Sequence, residues 1–339
     1  LSFAKGGPTV SFPAAFMRHD VAELARFPAD DSLSLRVDLI GRLSPSTVSL
    51  MEFGSTLDIA IAEKLLRFPL LGEERAGTWN VGFTAEFHMT NDSDLFETAP
   101  GKRRLPLYEG KMIWQFEHGY AEPRYWVDEK SGRARLLGRD ADTGQRLDYQ
   151  DYRLGFRDIA RNTDTRTLIS SILPATFHGN KLPTVKVWED GKRLVDLPTQ
   201  LFLCAVWNSF VLDWMIRLKV TTTLNYFYME QLPVPRLTAA DPAFRPLVER
   251  AARLVGTTAE FDDLLKEIFG PKATHRTHGE RTSARRAKLR AEIDAQVAHL
   301  YGLTEPEFTH ILGNFPLVPV ETKAAALAAF RAHPGTGNL

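Results

Sequence analysis

The chain has 339 residues, with 42 basic residues balanced by 42 acidic ones, 25% charged and 44% hydrophobic. That length predicts about two domains with ample core, and the composition excludes a disordered chain, a coiled coil and a collagen-like repeat. The single cysteine, Cys204, excludes a disulfide framework and a cysteine-rich zinc site, and the longest apolar run, Leu201 to Leu212, is interrupted at Asn208 and Ser209.

In chain order, Leu33, Leu35 and Val37 alternate with Ser34, Arg36 and Asp38, the period of a half-buried strand. Ser44-Pro45-Ser46 reads as a turn. Ser55 with Asp58 forms a capping box ahead of the stripe Ile59, Ala62, Leu65 and Leu66, a helix ended near Pro69. Residues 79–93 and 105–127 read as strands through Trp79, Val81, Phe83, Phe87, Ile113, Phe116, Tyr125 and Val127. Asp128 to Gly132 reads as a hairpin turn leading to Leu136 and Leu137. Asp151 to Ile159 is expected to be a strand. Asp164 is expected to cap a helix through Leu168, Ile169, Ile172 and Leu173 to Pro174. Val185 and Val187 form a strand before the Asp190-Gly191 turn. Residues 199–218, with Leu201, Phe202, Phe210 and Trp214, predict one buried spine helix.

Past Pro233 and Pro235 the pattern is helical, over about 242–255 and 258–269, the latter stopping at Gly270-Pro271. Residues 272–284 are polar and read as a mobile connection. Leu289, Ile293, Val297 and Leu300 then mark one face of a last clear helix. The fold class expected is α+β, a mixed β/α middle followed by a helical C-terminal region. No internal repeat is visible. The chain begins with Leu1, which predicts a piece of a longer protein, and a cytoplasmic address is the default.

Several chemistries lack their residues. Gly6-Gly7 and Gly335-Gly337 stand at the chain ends, away from any strand–helix passage, so no phosphate loop is seen. His275 and His278 are the one close histidine pair and have no suitably spaced carboxylate. Cys204 lies within the apolar helix and reads as core. Asp190-Gly191-Lys192 and Glu129-Lys130 read as turns rather than nuclease carboxylate–lysine pairs. Asn314-Phe315-Pro316 lacks the second proline and final aromatic of the Asn-Pro-Pro-Tyr element of adenine methyltransferases; it follows a helix and reads as its stop. No catalytic residue and no metal ligand is assigned.

Charge is uneven: basic minus acidic residues come to −6 over 1–100, +5 over 101–220 and +1 over 221–339, so the middle segment is the one suited to a polyanion. The densest basic run is Arg281, Arg285, Arg286, Lys288 and Arg290, either a solvated helix start or a phosphate contact.

Four segments together resemble one family. They are Leu105-Pro-Leu-Tyr-Glu-Gly-Lys-Met-Ile-Trp-Gln-Phe-Glu-His118; Tyr152-Arg-Leu-Gly-Phe-Arg-Asp-Ile-Ala-Arg-Asn-Thr163 with Arg166-Thr167 and Ile172-Leu-Pro174; Asn208-Ser-Phe-Val-Leu-Asp213 running to Asn225-Tyr-Phe and Gln231-Leu-Pro-Val-Pro235; and Ala298-His-Leu-Tyr-Gly-Leu303. They resemble the C-terminal half of large N6-adenine DNA methyltransferases, the type IIG-like and phage-defence restriction–modification enzymes. The resemblance spans about residues 40–316. It implies a connector over 1–75 that packs on a methyltransferase domain outside this chain. It further implies a DNA target-recognition domain over 76–240 and a helical region over 241–339. Duplex DNA is the implied partner, with nuclease or helicase subunits of the same system beside it. The implied cofactor, S-adenosylmethionine, belongs to the full-length protein and not to this chain. A module that docks such subunits and binds little DNA is the alternative.

The residues themselves supply DNA-contact candidates. Lys111 beside Gly110 is either a phosphate contact or a solvated lysine in a turn. Gln115 either reads adenine through its amide or faces outward from a strand. Arg153 and Arg157, four apart on an expected strand, share one face, with Arg161 and Arg166 following; they suit phosphate or guanine contact or an ion-paired structural face. Lys219, Thr221, Thr222 and Asn225, just past the apolar helix, are either a DNA-facing loop or the start of a strand.

Overall fold

The computed structural model describes residues 6–29, 31–45 and 47–332. Alternation gives the first strands: β1 (Ser11–Ala14) pairs antiparallel with β2 (Leu33–Arg36), and Leu33 and Leu35 are buried while Ser34 and Arg36 are exposed. The chain turns into α1 (Val37–Leu43) straight from Arg36, so Val37 begins a helix instead of ending the strand. α2 (Thr56–Leu65) has the expected capping box: the Asp58 backbone N–H donates to Ser55 Oγ, and the Asp58 carboxylate accepts from the Ser55 backbone. Ser46 lies outside the described residues; Ser44 and Pro45 do sit in a bend after α1.

The middle of the chain is shorter in strand than its composition suggests. β3 (Phe83–Thr84), β4 (Arg104–Tyr108) and β5 (Tyr125–Asp128) are separated by irregular backbone. Asp128 does not open a hairpin. It caps α3 (Glu129–Leu137) by accepting from the Ser131 N–H at 3.1 Å. Gly132 is inside that helix because a Cβ there would lie 2.6 Å from the Phe177 ring, so the glycine marks a close approach and not a turn.

β6 (Arg153–Phe156) pairs antiparallel with β7 (Ser170–Leu173). β7 is therefore a strand where a helix was expected. All four of its residues are buried, and a short buried run has no period to separate the two. Next come β8 (Phe177–His178), β9 (Thr184–Val185) and the hairpin β10 (Trp188–Glu189) with β11 (Lys192–Arg193). The Asp190-Gly191 turn has positive φ at both residues, the twist that a tight hairpin needs. The principal sheet runs β3-β9-β6-β7, and a second runs β5-β4-β8 with β4 and β8 parallel.

The apolar spine is two helices, α4 (Leu197–Trp207) and α5 (Phe210–Arg217), bent by 65°. Asn208 ends α4, and the Ser209 hydroxyl accepts from the Leu212 N–H to start α5. No single described helix is long and apolar enough to cross a membrane, and this bent pair lies in the core. α6 (Tyr226–Glu230), α7 (Phe244–Val255), α8 (Asp262–Phe269), α9 (Ser283–Leu300), α10 (Glu305–Gly313) and α11 (Val320–Ala332) complete the fold. The polar stretch 272–284 is pinned: Asp262 accepts from both the His275 backbone N–H at 2.6 Å and the ring at 2.7 Å, and Arg281 donates to the Thr257 carbonyl at 2.9 Å. Its polarity reflects these cross-links to neighbouring loops.

The fold is α+β. One continuous core joins Leu35, Ile61, Phe156, Trp207, Leu247, Ile293 and Phe330, so it draws on all three segments delineated from the sequence. A smaller cluster of Phe87, Leu107, Val127, Tyr149 and Phe177 lies under α3 and the second sheet.

Candidate nucleic-acid interface

Asn208, at the bend between α4 and α5, ties together segments far apart in sequence. Its side chain pairs with β7 in both directions: Oδ1 accepts from the Ser170 N–H at 3.0 Å, and Nδ2 donates to the Ser170 carbonyl at 2.9 Å. Its own carbonyl, left free at the helix end, accepts from Gln115 Nε2 at 2.9 Å and from Arg166 Nη2 at 2.5 Å. Arg166 also holds Asp213 at 2.6 Å and lies over the Phe210 ring at 4.2 Å. Asp213 accepts in turn from the Thr167 and Leu168 backbone N–H groups. Gln115 and Arg166 are thus brought together, but both are buried and spent on internal bonds.

The other expected contacts divide between interior and surface. Arg153 is fully buried, pairing with Glu86 and the Thr176 carbonyl. Burial pushes the Glu86 carboxyl up to about 7 despite that partner. β6 is buried along its whole length, so the face expected to carry both Arg153 and Arg157 is not a surface. Arg157 instead donates to the Ile113 carbonyl and packs 5.0 Å from the Trp114 ring centre, and burial lowers its pKa. Lys219 Nζ donates inward, to the Leu43 carbonyl at 2.6 Å and Gln231 Oε1 at 2.9 Å; burial brings its ammonium down to about 7. Thr221 and Thr222 are exposed, and Asn225 caps α6 by accepting from the Tyr228 N–H. Lys111 is exposed, with Glu109 3.5 Å away.

Beside the Asn208 nexus lies a cleft of about 430 Å³ between the Trp114–Glu117 turn, α9 and the start of α11. Trp114, Arg166, Arg290, Asp294 and Thr322 line it. Asp294 accepts from the Phe210 N–H at 2.9 Å, and burial raises its carboxyl to about 7. Arg286 and Arg290 have lowered pKa values, burial being the main cause and their mutual repulsion contributing to that of Arg286. Arg285 and Lys288, further out on α9, are 76% and 77% exposed and touch acids only at 3.9 Å.

The basic run on α9 was visible in the sequence, but its link to the middle segment was not. The spacing Arg286, Arg290, Asp294 puts all three on one helical face, and that signal could have found the cleft. Asp294 was not singled out from the sequence, and Trp114 reads there as core rather than as a base-stacking platform.

The passages from β2 into α1 and from β5 into α3 run through Arg36-Val37 and Asp128-Glu129 and offer no glycine-rich turn. No methyl-transfer step is assigned to this chain. No family model and no curated protein matches the sequence.

Proposed function

We propose that this chain serves in sequence-specific recognition of duplex DNA, as the target-recognition part of an adenine-N6 DNA methyltransferase of a restriction–modification or phage-defence system. Methyl transfer with S-adenosylmethionine belongs, on this reading, to another part of the full-length protein. The observation that carries it is the convergence at Asn208. Trp114 and Gln115 come from the first family-like segment, Arg166 from the second, and Asn208 and Phe210 from the third, all at one cleft to which α9 adds Arg290. Buried Gln115, Arg153 and Arg166 and part-buried Lys219 then build the scaffold. Exposed Arg285, Lys288 and Lys111 supply phosphate contacts. Selection of bound duplexes from a randomised pool tests the reading: one enriched motif supports it, and a folded protein that enriches none contradicts it.

A second reading, docking of a nuclease or helicase subunit, is favoured by a different observation. Val10, Met17, Val21, Leu24 and Val48 are 58–79% exposed, and all lie before residue 50. Loss of subunit binding in a V21D/L24D variant that still binds DNA would support docking through Val21 and Leu24; unchanged subunit binding would contradict it.

A further inference from the structure

Arg166 and Arg290 line the cleft, and among the described residues Arg290 is the one of the two that no internal partner occupies. Arg166 is bound to Asp213 and Asn208, and Arg286 donates to the Leu254 and Glu280 carbonyls at 2.7 and 2.9 Å. Among the described residues Arg290 has no hydrogen bond or ion pair; its neighbours Asp294, Glu117 and Arg166 act on it only through space. A half-buried guanidinium without an acceptor is poorly solvated and suits an anionic group that brings several oxygens.

Trp114 lines the same cleft. Tyr120 stacks on Trp114 with ring centres 5.5 Å apart, and the Arg157 guanidinium is 5.0 Å from Trp114 and 5.7 Å from Tyr120. Of these three side chains, Trp114 is the one that lines the cleft. Asp294, Thr165 and Thr322 add polar groups that can meet a heterocycle's edge. The volume of about 430 Å³ is that of a small-ligand site.

We propose that this cleft holds one unpaired nucleotide, its base stacked on Trp114 and its phosphate against Arg290. A cation and an indole lining one cleft match a nucleotide's two recognition elements. The choice of ligand class rests on the DNA reading above. The same chemistry could come from a nucleotide flipped out of a strand or from a free mononucleotide.

The test titrates the whole chain with a fully paired duplex, the same duplex with a one-base bulge of 2-aminopurine, and the four deoxymononucleotides. The expected result is about tenfold tighter binding of the bulged duplex, with quenched 2-aminopurine fluorescence. R290Q and W114L should each abolish that preference and W114F keep it, all three retaining the wild-type circular dichroism and melting profile. Mononucleotide binding that both variants weaken would assign the cleft to a free nucleotide and keep the inference, even with no duplex bound. Equal affinity for bulged and paired duplexes, without mononucleotide binding, overturns the inference while the DNA reading stands. Binding of none of the probes overturns both.

Discussion

Asp294 and Lys219 carry the two most consequential protonation states near the cleft and the spine, and they act in opposite directions. The Asp294 carboxyl is raised to about 7 by burial, above an unfolded value of about 4. Its contribution to stability is therefore full below about pH 4 and lost as the pH rises through about 7. Lys219 is lowered from 10.5 to about 7, again by burial. The penalty of its buried ammonium is therefore full below about pH 7 and relieved as the pH climbs toward 10.5. Denaturant titrations at about pH 5, 7 and 9 should show D294N removing a decline between the first two, and K219M removing a rise between the last two. Wild-type slopes in both variants would contradict these assignments. Arg153→Ala should cost about 3–5 kcal/mol because it strands Glu86 in the interior; a loss below about 1 kcal/mol would mean that water reaches the pair. The sequence marked Arg153, Arg166 and Lys219 as candidate DNA contacts. It could not show that their partners, Glu86, Asp213 and the Leu43 carbonyl, lie 67, 47 and 176 positions away.

At the scale of elements, the bend between α4 and α5 depends on Asn208, whose amide completes the backbone pairing of β7. Asn208→Ala leaves the Ser170 N–H and carbonyl without these partners in a dry interior, and should cost about 2–4 kcal/mol by chemical denaturation. A cost under about 1 kcal/mol would show that the β7 contact is dispensable. Ser55→Ala, at the α2 cap, should cost about 1 kcal/mol. Elements with local signals were legible: the Ser55–Asp58 box, the Asp190-Gly191 hairpin, and α9 from its apolar stripe. Elements decided by packing were not. Ser170–Leu173 pairs with β6 because the sheet is there, and Gly132 is tolerated in α3 because Phe177 leaves no room for a side chain.

Over the whole molecule, one core reaches from Leu35 to Phe330, and α4 packs on α7 with Phe202 and Phe244 ring centres 5.3 Å apart. A chain ended at residue 240 would expose that face of α4, and it should lose its cooperative thermal transition; a sharp transition would show that the helical region is an independent unit. The charge pattern pointed to residues 101–220 as the polyanion-binding part, whereas the cleft unites that segment with α9, a contact made only by folding. Much of the candidate site was therefore present in the sequence as residues and hidden as an arrangement. Affinity for the selected duplex across a range of salt tests the central claim most directly. The proposed reading predicts a steep fall in log affinity with log salt, its slope reduced by about 1 for each of Arg285→Ala and Lys288→Ala. A folded chain that binds no duplex at low salt, or one whose slope neither change alters, would contradict it.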